Sequence, residues 1–171
     1  MISNSRQVTV NAAFLEEIKE DNLRLYNLME NLRTFWLVPD PLTLKPEWFS
    51  VLINELRDQL AMHFALEATF GYFDHADQVD ALTAAESQRL RDQHADLYLE
   101  IASIAEQVEE AFYPEWNQTT YAAQIERFDL FYQKFQQHES AEFDLIMSAS
   151  YENFKRMYHS GVSSKADSAR W

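Results

Sequence analysis

The sequence predicts an all-α fold, an up-down-up-down antiparallel four-helix bundle, and three observations lead there. Glycine occurs twice and proline four times in 171 residues, too few backbone punctuators for the turns of an all-β chain. Apolar residues make up 47% of the chain and recur at helical steps of three and four. The breaks between the periodic stretches are short, as they are between neighbouring helices of a bundle. At this length a single domain over 1–171 with a substantial buried core is expected.

The first helix is expected over about 11–36, with Asn11 as N-cap and an apolar stripe of Phe14, Ile18, Leu25, Met29 and Leu32. Asn22 falls in the same stripe. Pro39, Pro41 and Pro46 then make a rigid connection, and Pro46 suits the first turn of a second helix over about 46–73. This helix has the cleanest seam in the chain: Phe49, Ile53, Leu56, Leu60, His63, Glu67 and Phe70 step by four and three throughout. Gly71 and the polar stretch DHADQVD end it.

A capping box of Thr83 and Glu86 is expected to open the third helix, over about 84–112. Its inner stripe is Leu90, His94, Leu97, Ile101, Ala105 and Val108, and Pro114 closes it. Thr119 or Thr120 can cap the fourth helix, over about 120–158. The stripe there is Ile125, Phe128, Phe131 or Tyr132, Phe135, His138, Glu142, Leu145 and Ala149. Ser160-Gly161 is the expected stop, leaving a mobile polar tail over 159–171.

Charge narrows the function classes. A net charge of -14 disfavours nucleic acid, whose binding depends on Lys and Arg neutralising phosphates, and equally disfavours an anionic membrane surface. The acidity reads as a solvated, self-repelling exterior. The chain has no cysteine, which excludes disulfides, thiolate ligands and a Cys nucleophile. No signal peptide and no apolar run of membrane-spanning length are seen, so a soluble cytoplasmic protein is expected.

The inward stripes carry the functional signal. His63 and Glu67 are four apart on one helix face, as are His138 and Glu142, and His94 takes an inward position on the third helix. Buried together without compensation, these groups would cost several kcal/mol per charge. Lys19, Arg24, Arg57, Arg91 and Lys134 fall on other faces and do not neutralise them. A divalent or trivalent cation does, with imidazole nitrogens and carboxylate oxygens as ligands. The bland reading of the same residues is a hydrogen-bonded polar network in the core.

The stretches HFALEATFGYF, LRDQHADLYLEI and FQQHESAEFDLI resemble the second, third and fourth helices of hemerythrin-like (HHE cation-binding) domains. The resemblance spans Phe14 to Tyr158. It implies a non-haem di-iron centre in which Glu67 and Glu142 bridge two irons, His63 binding one and His94 and His138 the other. It also implies oxygen or nitric oxide as a small diatomic ligand, bound or sensed, or a part in iron and redox-stress handling. Two positions depart from the family pattern. Asn22 stands where a first-helix His is normal, and Tyr98 where many members carry a second third-helix His. Asn22 can donate a hydrogen bond to a bound water; Tyr98 can be a phenolate ligand, a nearby donor or a core aromatic. Asp21 and Glu17 sit at less favourable helical angles.

Fewer imidazoles leave open a mononuclear site, or zinc or manganese in place of iron. They also leave open an alternative reading, a non-catalytic interaction module with a degenerate metal site. Ferritin-like oxidases use E-x-x-H pairs, which these inner stripes lack, so an enzyme is the less favoured reading. His75 and His159 are expected at the surface.

Overall fold

In the computed structural model the chain is a set of four helices: α1 (Ala12–Leu37), α2 (Pro46–Thr69), α3 (Ala81–Glu110) and α4 (Gln118–Ala166). The structure describes residues 12–37, 46–69, 73–74, 76–110 and 118–166, without the side chains of 12–19, 36, 46, 118, 153 and 157–166. Asn11, Pro39, Pro41, Phe70, Gly71, His75 and Pro114, and the side chains of Phe14, Ile18, Lys19 and His159, thus lie outside the described residues. Among the described residues there is no strand, and no helix is long and apolar enough to cross a membrane.

Burial of apolar stripes holds the helices together. On α2, Phe49, Ile53, Leu56 and Leu60 are all buried, and on α3 so are Leu90, Leu97, Ile101, Ala105 and Val108. On α4, Ile125, Phe128, Phe131, Tyr132, Phe135, Leu145 and Ala149 are buried. Each fully buried Val, Leu, Ile or Phe side chain contributes about 1.5–3 kcal/mol relative to exposure. The rings of Phe49 and Phe128 meet edge to face at 6.4 Å, and those of Phe35 and Phe49 are tilted against each other at 5.3 Å.

α1 is rotated relative to the expected stripe. Leu25, Leu28, Met29, Leu32 and Phe35 are buried, and the polar residue that shares their face is Asp21, while Asn22 is exposed. Both lie within one turn of Leu25, so the seam alone does not choose between them. Leu28 and Phe35 pull the face toward the 21–28–35 line.

α1 packs on α2, α2 on α3, α3 on α4, and α1 also meets α4. Two pairs between α1 and α2, and three between α3 and α4, come in opposite order along the two helices. Arg24 pairs with Glu55 while Asp21 meets His63, and Ser103, Glu100 and Gln93 meet Arg127, Lys134 and His138.

Several local expectations are corrected. Asp80, not Thr83, caps α3: its Oδ1 accepts the Thr83 amide at 2.8 Å, and the helix begins at Ala81. Glu86 is engaged instead by Arg89 at 2.5 and 2.9 Å. Thr119 and Thr120 lie inside the first turn of α4, which begins at Gln118. Ser160-Gly161 does not stop α4, because one glycine in a helix costs only about 1 kcal/mol.

Between α2 and α3 a short 3-10 turn (Ala76–Gln78) is tied down by Asp77, which accepts from Ser87 at 2.6 Å and from Arg91 at 2.6 Å. The Arg91 guanidinium lies 5.0 Å over the Phe73 ring. Phe73, Ala76 and Val79 form with Leu90, Leu145 and Ala149 a second apolar cluster. That cluster closes the bundle next to the polar centre described below.

Candidate metal centre

The helical spacing of four places His63 above Glu67 on α2 and His138 above Glu142 on α4. The Nε2 atom of His63 lies 3.1 Å from Glu67 Oε1, and that of His138 lies 3.0 Å from Glu142 Oε1. His94 on α3 joins both helices. Its Nε2 is 2.9 Å from Glu142 Oε1 and 3.4 Å from Glu67 Oε2. The two oxygens of Glu67 therefore face different histidines. All five residues expected from the inward stripes meet in one place.

A sixth joins them. Glu139 Oε1 lies 3.4 Å from His63 Nε2, the same atom that Glu67 Oε1 approaches. The donors fall into two trios, His63–Glu67–Glu139 and His94–His138–Glu142, each with its ligand atoms within 4.8 Å of one another. Glu139 is next to His138 in sequence, about 100° round the helix, and so does not belong to the inward stripe. Its long side chain bends back from the α4 surface. Periodicity does not register such a residue.

The outer edges of two imidazoles are held. Asp21 Oδ2 accepts a hydrogen bond from His63 Nδ1 at 3.0 Å, and Gln59 donates to the other oxygen of Asp21. Gln93 Oε1 accepts from His138 Nδ1 at 3.0 Å. These bonds select the tautomer in which Nδ1 carries the proton and Nε2 offers its lone pair inward, as in histidines that bind metal. The ring of His94 is stacked on Phe64 at 4.1 Å, and Phe135 and Phe73 lie 6.5 and 6.1 Å from His63 and His94. Apolar rings thus limit water around the inward donors.

Cation and donor set fit on two grounds. His63 Nε2, His138 Nε2, Glu67 Oε2 and Glu139 Oε1 are buried and have no hydrogen-bond partner. They lie close to neighbours of opposite character yet are not aligned to share a proton. Their spacing suits a shared cation instead. Donors about 2.1 Å from one ion sit about 3.0 Å apart at right angles and about 3.4 Å apart at tetrahedral angles. The N–O separations above run from 2.9 to 3.4 Å. Arg24, Arg57, Arg91 and Lys134 pair elsewhere, with Glu55, Asp58, Asp77 and Glu100.

Neither departure from the family pattern sits among the inward donors. Asn22 is exposed and lines a cleft of about 400 Å³ between α1 and α4, whose inner wall includes His63 and Glu139. Asp21 takes the inward place on α1 and touches the back of His63. Tyr98 is half-buried and packs against the main apolar cluster.

The metal-free electrostatics follow from this crowding. Burial pulls the His63 imidazole down, but the carboxylates of Glu139 and Glu67 outweigh it and push its pKa up to about 11. Burial raises Glu67, against the pull of His63. Glu142 also loses solvation, yet the imidazoles of His138 and His94 beside it bring it down to about 2. A raised His63 contributes stability that is full below its ordinary value of 6.5 and lost as pH rises toward 11. A lowered Glu142 contributes stability that is full above 4.5 and lost as pH falls toward 2. The metal-free chain is therefore expected to melt highest between pH 4.5 and 6.5 and to weaken on the alkaline side. Metal binding, which displaces the extra proton held by His63, should strengthen over that alkaline range. Thermal melts across pH with and without a chelator check both signs.

Comparison with protein-family models, with curated proteins and with solved structures finds no match for this chain.

Proposed function

We propose that this chain is a hemerythrin-like metal-binding protein, an up-down-up-down antiparallel bundle whose core holds two iron ions. The observation that carries the reading is the pair of donor trios joined by Glu67, with Nε2 atoms turned inward and left without hydrogen-bond partners. The opposite running of cross-helix partners supports the antiparallel threading.

Charge supports two ions rather than one. The carboxylates of Asp21, Glu67, Glu139 and Glu142 converge on the centre, and two dications neutralise four such charges where one would leave the excess buried. His63, Glu67 and Glu139 hold one ion, and His94, His138 and Glu142 the other. Asp21 and Gln93 fix the imidazole rings, and Phe64, Phe73 and Phe135 keep bulk water from the donors. Bound iron would supply coordination of, or electron exchange with, a small diatomic ligand such as oxygen or nitric oxide. The cleft between α1 and α4 opens a route for such a ligand to the His63 side. Binding or sensing of that ligand, or handling of iron under redox stress, is the activity this centre suits.

Protein purified from iron-replete cells is expected to carry about two iron ions per chain, which elemental analysis reads. Adding Fe²⁺ under anaerobic conditions to the stripped chain should raise its melting temperature. Protein that takes up no metal and melts at the same temperature with or without it would instead support a bundle acting as an interaction module.

A further inference from the structure

We infer that the two halves of the centre are unequal, the Glu139 half suiting a hard, oxygen-preferring dication such as Mn²⁺ and the His94–His138 half a borderline one such as Zn²⁺ or Fe²⁺, so that the chain can hold a mixed pair. The inference rests on the metal-centre reading above and deepens it.

The donor sets differ in kind. One half offers a single imidazole, His63, with the carboxylates of Glu67 and Glu139. The other offers two imidazoles, His94 and His138, with the carboxylate of Glu142. Carboxylate oxygens suit Mn²⁺ and Mg²⁺, whereas imidazole nitrogens suit Zn²⁺ and iron. The surroundings sharpen the contrast. His63 is backed by a carboxylate, Asp21, and His138 by the neutral amide of Gln93, so the His63 half carries the greater negative charge.

Glu139 is more than a surface acid that happens to be near. Its side chain is 40% exposed, yet Oε1 is fully buried and has no hydrogen-bond partner, facing a His63 that is only 5% exposed. The cleft between α1 and α4 reaches both residues. Room for water matters here, because hard cations keep some of their aqua ligands. A second cleft, of about 420 Å³ between α3 and α4, reaches His138, so both halves meet solvent and the contrast between them rests on their donors.

Zn²⁺ binds more tightly than Mn²⁺ at almost any such site, so order of filling is the discriminating observation. The stripped full-length chain is given a single equivalent of Zn²⁺ and then titrated with Mn²⁺. Bound Mn²⁺ is read from the loss of the free-ion electron paramagnetic resonance signal, and each ion is placed by anomalous scattering at its own edge. One Zn²⁺ at His94–His138–Glu142 and one Mn²⁺ at His63–Glu67–Glu139 is the expected result. Glu139→Gln should weaken Mn²⁺ binding by about 10–100-fold while changing the first Zn²⁺ affinity less than about twofold. Its partly exposed side chain makes it a mild substitution for the fold, which circular dichroism checks. Zn²⁺ and Mn²⁺ scattered over both halves, or Mn²⁺ affinity unchanged in Glu139→Gln, would overturn the inequality and leave the metal centre standing. Failure of the stripped chain to bind either ion would overturn both.

Discussion

Glu67→Ala is expected to abolish most of the stabilisation that metal confers on this protein, the largest functional effect of any single side chain in the centre. Glu67 is the residue whose two oxygens face different halves, Oε1 at 3.1 Å from His63 Nε2 and Oε2 at 3.4 Å from His94 Nε2. Its loss removes a donor from one ion and the link to the other. At free metal about 100 times the dissociation constant, binding stabilises the folded chain by about 2.7 kcal/mol. A 100-fold weaker variant at the same metal concentration would gain only about 0.4 kcal/mol.

The metal-free comparison runs the other way. Burial raises the pKa of Glu67, which means that its ionised form is poorly solvated where it stands. His63 keeps Asp21 and Glu139 as partners when Glu67 is gone. The metal-free variant should therefore be no less stable than the metal-free parent. Urea unfolding of both proteins, with and without metal, gives the four values needed. An equal gain from metal in parent and variant would remove Glu67 from the centre.

Phe128→Ala should have the largest effect on the fold, about 3–5 kcal/mol. Phe128 is fully buried and its ring lies within 6.0–6.5 Å of Phe131, Phe49 and Tyr132, so truncation opens a cavity between α2 and α4. Against a total stability of about 5–15 kcal/mol, that loss is a large fraction. Ten residues separate it from His138, about 15 Å along the helix, so metal content below the unfolding midpoint should be unchanged. A cost below about 1 kcal/mol in urea would show that the ring is not packed as described.

How far the sequence reaches is clearest on α2. From Phe49 to Glu67 every residue on the steps of four and three is buried, because one helix face must be buried, while Gln59 and Phe64 beside that line are buried without being named by it. His94, His138 and Glu142 were legible for the same reason. The ends of the helices were less so. Asp80 competes with Thr83 for the cap of α3, and both are good capping residues, so the choice falls to the path of the chain through the 3-10 turn. Near the other end of α4, Gly161 is a weak stop that neighbouring helical residues override.

The polar centre marks the same boundary in finer detail. Local periodicity by itself determined that three histidines and two glutamates lie on buried faces of three helices, since a buried stripe is a property of one helix at a time. Two features of the centre were beyond it. Which of Asp21 and Asn22 turns inward depends on the rotation of α1 against α2, set by Leu28 and Phe35 and by the bonds of Asp21 to Gln59 and His63. Whether Glu139 belongs depends on a side chain long enough to reach round α4 to an imidazole on another helix. Both are decided by distances between helices, which no pattern within one helix encodes.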